Sequence, residues 1–211
     1  MNKKKNVLII GGTGFVGFHL CKYFLKQEYK VFSISLNKPK EIRKLKNVKY
    51  FTCNISKFKE IIFLKKINFE LVINCGGYVD HHNQKKTVAD HYLGCKNLIK
   101  IFEKKKIKLF IQMGSSAEYG DIRSPHKENI SGNAKDIYGK AKLLATKHLL
   151  QKKIPFVIFR LYQIYGPHQD DNRFIPFIIN SCLNDIKFPC SKGEQLRDFL
   201  DIDDFIKAIS L

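Results

Sequence analysis

Apolar residues in this chain come as short continuous runs, each closed by small or polar residues and followed by a longer stretch of helical period. Val7-Leu8-Ile9-Ile10 is the first run, and Gly11-Gly12-Thr13-Gly14 follows it at once. Unbroken hydrophobe of this kind marks a parallel strand buried on both faces; a half-exposed strand would alternate. Beyond the glycines, Phe15, Val16, Leu20, Tyr23 and Phe24 recur at helical spacing. The design then repeats. Lys30 to Leu36 and Val48 to Cys53 read as the second and third strands, with a helix over Glu60 to Ile67. Leu71 to Asn74 is another apolar strand and ends in Cys75-Gly76-Gly77; Asp90 to Glu103 is a helix with Leu93, Leu98, Ile99 and Phe102 as its buried stripe. Lys108 to Met113 is a strand that runs into Gly114-Ser115-Ser116, Ser131 to Lys153 is a long helix, and Pro155 to Leu161 is a further strand. Strands alternating with helices at this spacing are βαβ units, so the fold class is α/β with a Rossmann-type doubly wound parallel sheet.

Past Gly166-Pro167 the rhythm changes. Asp170 to Leu211 reads as one helix, a loop near Asn184-Asp185, a short extended piece around Leu196 to Leu200, and a helix from Asp203. The expected division is an α/β domain over 1–166 and a small C-terminal lobe over 167–211.

The glycine cluster supplies the first candidate chemistry. Gly12, Gly14 and Gly17 fit G-x-G-x-x-G, and Gly11, Gly14 and Gly17 fit G-x-x-G-x-x-G equally well. Between a strand and a helix, glycines let the backbone turn tightly and approach a ligand, while the new helix offers unpaired N–H groups to a phosphate. The same residues could form an ordinary βα turn, but in this context they match the dinucleotide fingerprint. A fingerprint for NAD would carry Asp or Glu after the second strand. Here stand Ser33, Ser35, Asn37 and Lys38, with the nearest acid at Glu41. Lys38 and Arg43 leave room for the 2′-phosphate of NADP, whereas Ser35 or Asn37 could bond the ribose of NAD, so the cofactor is NAD or NADP.

Composition narrows the class without naming the chemistry. A chain of 211 residues that is 44% hydrophobic can bury a sizeable core. No apolar run approaches the ~20 residues that a membrane helix needs. Met1 to Lys5 is basic and precedes an apolar run, as in a secretory leader, but that run is too short and glycines follow it, so a cytoplasmic location is expected. Cysteines at 21, 53, 75, 95, 182 and 190 form no C-x-x-C, and neither a disulfide framework nor a zinc site is indicated. His81-His82, with Asp80 and His91 nearby, has no regular ligand spacing and reads as a loop, so no metal is expected. The net charge of +19 is spread along the chain, with Lys104-Lys105-Lys106 placed to favour a helix end. Neither nucleic acid nor membrane is expected as a partner.

Tyr138-Gly139-Lys140-Ala141-Lys142 puts a phenol and an ammonium one helical turn apart on one face. Tyrosine, with an ordinary pKa near ~10, is a poor base at neutral pH. An ammonium close by favours the phenolate, and so does a cationic oxidised nicotinamide. Such a pair suits proton movement on a carbinol oxygen while hydride moves on its carbon. Tyr-x-x-x-Lys alone is common on helix surfaces. Here it follows Ser115-Ser116 at a strand end, in a chain that already carries the glycine turn.

In this order and combination the residues resemble the extended short-chain dehydrogenase/reductase family, in its NAD-dependent epimerase/dehydratase branch acting on nucleotide sugars. The likeness rests on Gly11 to Gly17, Asn74 to Gly77, Ser115 to Gly120, Tyr138 to Lys142, Arg160 to Pro167 and Arg197 to Asp204. It implies Tyr138 as general acid/base, Lys142 as the residue that tunes it and bonds the nicotinamide ribose, and Ser115 as the hydroxyl that steadies the reacting oxygen. The implied cofactor set is Gly11, Gly12, Thr13, Gly14, Phe15, Val16, Gly17, Ser35, Asn54, Ile55, Cys75, Gly76 and Gly77, joined by Tyr138 and Lys142. Ser116, Gln163 and Arg197 are implied on the substrate side, with Arg197 gripping the diphosphate of a nucleotide sugar. The chain departs from the pattern at Gln163, where the family has Asn in Arg-x-x-Asn-x-Tyr-Gly-Pro. Asn54 stands for an adenine-contacting Asp, and His91 for an Asn that supports the proton path.

The family's sugar 4,6-dehydratases carry acids at the two positions after the serine; here those are Ser116 and Ala117, and Glu118 is displaced by one. A 4-epimerase or a 4-ketosugar reductase needs only the Ser, Tyr and Lys, so these are the expected activities and dehydration is disfavoured. A dinucleotide-binding sensor without catalysis is the competing class; it would need only the glycine turn. Family members continue well past Arg197-Asp198-Phe199, so the lobe ending at Leu211 is read as cut short, with exposed apolar surface and weakened or absent catalysis. A second copy of the chain is a candidate partner. Asp203-Asp204 reads as the N-cap of the last helix.

Overall fold

The structure is a computed structural model that describes residues 4–77 and 83–210. Asp80, His81 and His82, read above as a loop, lie outside the described residues. The chain divides between Leu161 and Tyr162 into two compact units.

In the first unit, strands β1 (Asn6–Ile10), β2 (Lys30–Ser35), β3 (Val48–Thr52), β4 (Leu71–Asn74), β5 (Leu109–Ser115) and β6 (Phe156–Leu161) form one parallel sheet in the order β3-β2-β1-β4-β5-β6. The order of succession along the sheet reverses between β1 and β4, the switch point at whose carboxyl ends open parallel sheets form a crevice. Val7 to Ile9, Val72, Ile73, Phe110 and Ile111 are buried, as continuous apolar runs require of central parallel strands. The edge strands β3 and β6 are only partly covered.

Helix α1 (Phe15–Lys26) returns β1 to β2. The crossover from β3 to β4 is α2 (Phe58–Ile61) followed by a 3-10 segment, Ile62–Lys66, rather than one α-helix over Glu60 to Ile67. Its inward residues Ile61, Leu64 and Ile67 are three apart, the period of a 3-10 helix. Lys105 Nζ caps its end by donating to the Leu64 and Ile67 carbonyls.

Between β4 and β5 the helical stretch starts earlier than expected. It runs as α3 (Gln84–Val88), a π-turn over Ala89–Leu93 and α4 (Gly94–Phe102). Leu93 is 40% exposed and is not part of the buried stripe. It stands five residues before Leu98, which turns it away from the face that Cys95, Leu98, Ile99 and Phe102 share.

Helix α5 (Ile137–Leu150) is also shorter than Ser131 to Lys153. Asp136 caps it by accepting from Gly139 N at 2.8 Å. The segment before it is extended, with Asn133 bridged to Gly120. Phe102 lies at the centre of the core with Leu8, Ile34, Leu98, Phe110 and Leu149. Phe102→Ala should lower unfolding stability by about 3–5 kcal/mol, read as a lower urea midpoint.

The second unit contains β7 (Gln163–Tyr165), α6 (Phe174–Leu183), β8 (Phe199–Asp201) and α7 (Ile202–Ile209). Strands β7 and β8 pair in parallel, Gln163 opposite Phe199. The sequence pattern had not marked β7, a strand of minimal length. The cap of α7 is Asp201, which accepts from Asp203 N at 2.8 Å; Asp203 and Asp204 sit in the first turn, and Asp204 pairs with Lys207. All six cysteines are free thiols.

Candidate active site

The glycine turn is built by three constraints. Gly11 takes φ +78°, and its N–H donates to Ile34 O of β2 at 2.7 Å. A Cβ there would lie 2.9 Å from the Cys75 carbonyl oxygen, so β1 and β4 approach each other across the crevice only because position 11 is glycine. Gly14 N then donates to Gly11 O at 2.9 Å and closes the turn. Gly17 packs its Cα directly on the Gly11 carbonyl. Gly14 is the N-cap of α1 and contributes no side-chain cap, so no capping side chain takes up the first-turn N–H groups.

The other cofactor candidates lie at the same sheet edge. Ser35 Oγ, at the end of β2, accepts from Thr13 N at 3.3 Å and ties β2 to the turn. Asn54 Oδ1 accepts from Ser56 N and Ser56 Oγ, which fixes the turn after β3. Ile55 is buried with its side chain beside Gly76 and Gly94. Asn74 Oδ1 accepts from Gly76 N at 3.1 Å while its amide donates to Gln112 of β5 at 2.8 Å. Of the two cations weighed for a 2′-phosphate, Lys38 is exposed but Arg43 is 3% exposed within the 3-10 turn Glu41–Arg43.

Ser115 ends β5, and its Oγ accepts from Ala117 N at 3.2 Å. Tyr138 and Lys142 stand one turn apart on α5, with Lys142 Nζ 5.7 Å from the Tyr138 ring centroid. Lys142 is 6% exposed, and its ammonium donates to Met113 O at 2.7 Å. That bond ties α5 to the strand that delivers Ser115. The His91 ring, from the π-turn, meets Tyr138 edge-on at 5.0 Å.

Lys142 also acts electrostatically on Cys75 across the crevice. Burial pushes the Cys75 thiol up to about 12 against the opposing pull of the Lys142 ammonium, although part of the residue faces solvent. Cys95 is raised in the same way, to about 12, and Cys21 is raised as well. Burial thus disfavours the thiolate, the nucleophilic form, at all three.

On the substrate side, Ser116 opens the 3-10 turn Ser116–Glu118. Gln163 and Arg197 belong to the second unit, where Gln163 N donates to Asp198 O at 3.1 Å; Arg197 is exposed, its guanidinium bonded to Leu196 O. Among the described residues no group of three or more His, Cys, Asp or Glu is placed to hold a metal, and no helix is long and apolar enough to cross a membrane.

The sequence pattern marks Glu118 only as a displaced acid, and the structure gives it a further part. Its side chain is fully buried and accepts from Ser115 N, Thr146 Oγ1 and Arg160 Nε. The signal was present, since Ser115-x-x-Glu118 is a capping box and both of its bonds form.

A parallel sheet in this strand order, with a glycine turn at its switch point, makes the first unit a Rossmann-type α/β domain. More particularly, residues 7–211 match the NAD dependent epimerase/dehydratase family, and the chain belongs to it. It is 29% identical to a dTDP-D-glucose 4,6-dehydratase of Dictyostelium discoideum over 98% of this chain and 55% of that protein. It is 27% identical to an uncharacterized UDP-glucose epimerase of Bacillus subtilis, over 97% of this chain and 71% of the relative. The fold is shared with the Bordetella bronchiseptica enzyme WbmG solved in complex with NAD, at TM-score 0.89 and 21% identity, covering 99% of this chain and 68% of that one. The chain thus spans little more than half of the Dictyostelium relative.

Proposed function

We propose that this chain binds NAD or NADP along the carboxyl edge of β1, β2 and β4 and acts on a nucleotide sugar as a 4-epimerase or 4-ketosugar reductase. The observation that carries the reading is the Lys142–Met113 O bond, which holds the Tyr138-bearing helix against the strand end of Ser115. The turn suits a dinucleotide, because Gly11 and Gly17 let β1, β4 and α1 close to backbone contact and the α1 N-terminus has no side-chain cap.

Gly11 to Gly17 would hold the pyrophosphate, Ser35 and Asn54 the adenosine end, and Cys75 to Gly77 the central backbone. When bound, the nicotinamide supplies or accepts hydride. Tyr138 takes or returns the proton on the sugar oxygen, and Ser115 Oγ donates to that oxygen. Lys142, already fixed on Met113 O, orients the nicotinamide ribose. Ser116, Gln163 and Arg197 are assigned to the nucleotide sugar, Arg197 to its diphosphate.

Dehydration is the weaker reading, despite the name of the Dictyostelium relative. Ser116 and Ala117 offer no acid, and the Glu118 carboxylate is committed to three donors away from solvent.

The test is a binding panel on the purified chain. NADH should bind, and at least as tightly as NADPH, because Arg43, one of the two cations weighed for a 2′-phosphate, is buried. UDP-, dTDP- and CDP-sugars, scored by calorimetry, then select the substrate class. A chain that binds neither reduced cofactor overturns the reading.

A further inference from the structure

Glu118 poses an energetic question. A carboxylate with no exposed surface loses hydration worth several kcal/mol, and a buried ion pair seldom returns more than a well-packed apolar residue would. Yet the surroundings are shaped to receive it. Gly114, the residue before Ser115, leaves the space: a Cβ there would stand 2.5 Å from Glu118 Oε1. Oε1 accepts from Ser115 N at 2.9 Å, and Oε2 accepts from Thr146 Oγ1 at 2.8 Å. Arg160 of β6 supplies the counter-charge, with Nε 3.3 Å from Oε2. The guanidinium is itself held by Glu128 O at 3.1 Å and the Tyr119 ring at 4.8 Å.

The two ends of this link matter. Ser115 ends β5. Thr146 follows Lys142 by one helical turn and Tyr138 by two, so all three lie along one face of α5. We propose that Glu118 is a positioning residue, its carboxylate fixing the strand end that carries Ser115 against the helix that carries Tyr138 and Lys142. It works beside the Lys142–Met113 O bond as a second polar tie between the same two elements. Two ties one turn apart, added to the packing of buried Ala141, Ala145 and Leu149, fix the rotation of α5 against β5 more closely than one would.

The inference rests on the proposed function, because the positioned groups are those assigned to the nicotinamide end. Three variants of the full chain test it: Thr146→Val, which keeps the volume and removes the donor, Thr146→Ser, which restores it, and Glu118→Gln. Each is titrated with NADH and, separately, with 5′-AMP. Loss of the tie should weaken NADH about tenfold in Thr146→Val, the worth of roughly one hydrogen bond, with 5′-AMP affinity within about twofold of wild type. Thr146→Ser should recover wild-type NADH affinity. Glu118→Gln should weaken NADH further, since Arg160 also loses its counter-charge.

Unchanged NADH affinity in Thr146→Val and Glu118→Gln overturns the proposal and leaves the functional reading standing. Equal weakening of NADH and 5′-AMP overturns it too, since that is loss of structure rather than of position. A wild-type chain that binds neither NADH nor NADPH removes the functional reading and this inference together.

Discussion

Tyr138→Phe should reduce turnover of the proposed nucleotide-sugar substrate by about 10²–10⁴-fold, the usual worth of a positioned acid/base. NADH affinity should change by no more than about twofold, because one hydroxyl of a wide contact surface is lost. The reasons are local. Phenylalanine keeps the ring that packs edge-on against His91. Lys142 keeps its anchor on Met113 O, a bond that does not involve the phenol. The fold around position 138 is therefore retained, and only the proton donor is removed. In the proposed chemistry hydride cannot leave a carbinol carbon unless the proton leaves its oxygen, and a neutral serine hydroxyl such as Ser115 is too weak a base to take it. Steady-state kinetics alongside NADH fluorescence titration separate the two effects. Wild-type turnover in the variant would take Tyr138 out of the mechanism and transfer the role to another group at the β5 end.

What could be read in advance follows from the range of the forces involved. The sheet was legible because central parallel strands must be apolar on both faces, and β1, β4 and β5 are. The Gly11–Gly17 turn and the Tyr138–Lys142 spacing are local and survive any error in the elements between them. Elements decided by a competing period were read wrongly. Ile61, Leu64 and Ile67 recur every third residue and wind a 3-10 segment; Leu93 was credited to a stripe five residues away. The start of α5 was set too early because hydrophobic period gives no boundary, whereas the Asp136 cap does. Glu118 was seen only as an acid displaced from the dehydratase pattern. Its role depends on Thr146 and Arg160, 28 and 42 residues further along, and no local pattern brings those three together.

Gly17→Ala should abolish measurable dinucleotide binding and also lower stability, by about 1–3 kcal/mol as for other overpacked sites. A Cβ at position 17 would run into the carbonyl of Gly11 and the Cα of Gly12. These are backbone atoms with no rotamer to yield. Nor can the turn recoil, since Gly11 N is bonded to Ile34 O at 2.7 Å and Cys75 N to Ile10 O at 3.0 Å, which pins both walls of the crevice. Moving Gly11 toward β4 would press it on the Cys75 carbonyl, already within 2.9 Å of where a side chain would begin. The remaining response is for α1 to back away from the turn, and its N-terminal N–H groups then leave the position at which a pyrophosphate would meet them. Gly193→Ala is the control. Unlike helical Gly17 it has a positive φ, +76°, and nothing lies within 4 Å of its Cβ position, so it carries backbone strain without a collision. Thermal melts should show a modest loss for Gly193→Ala and a larger one for Gly17→Ala, with NADH binding lost only in the latter. Retained NADH affinity in folded Gly17→Ala would mean that the dinucleotide does not lie on this turn.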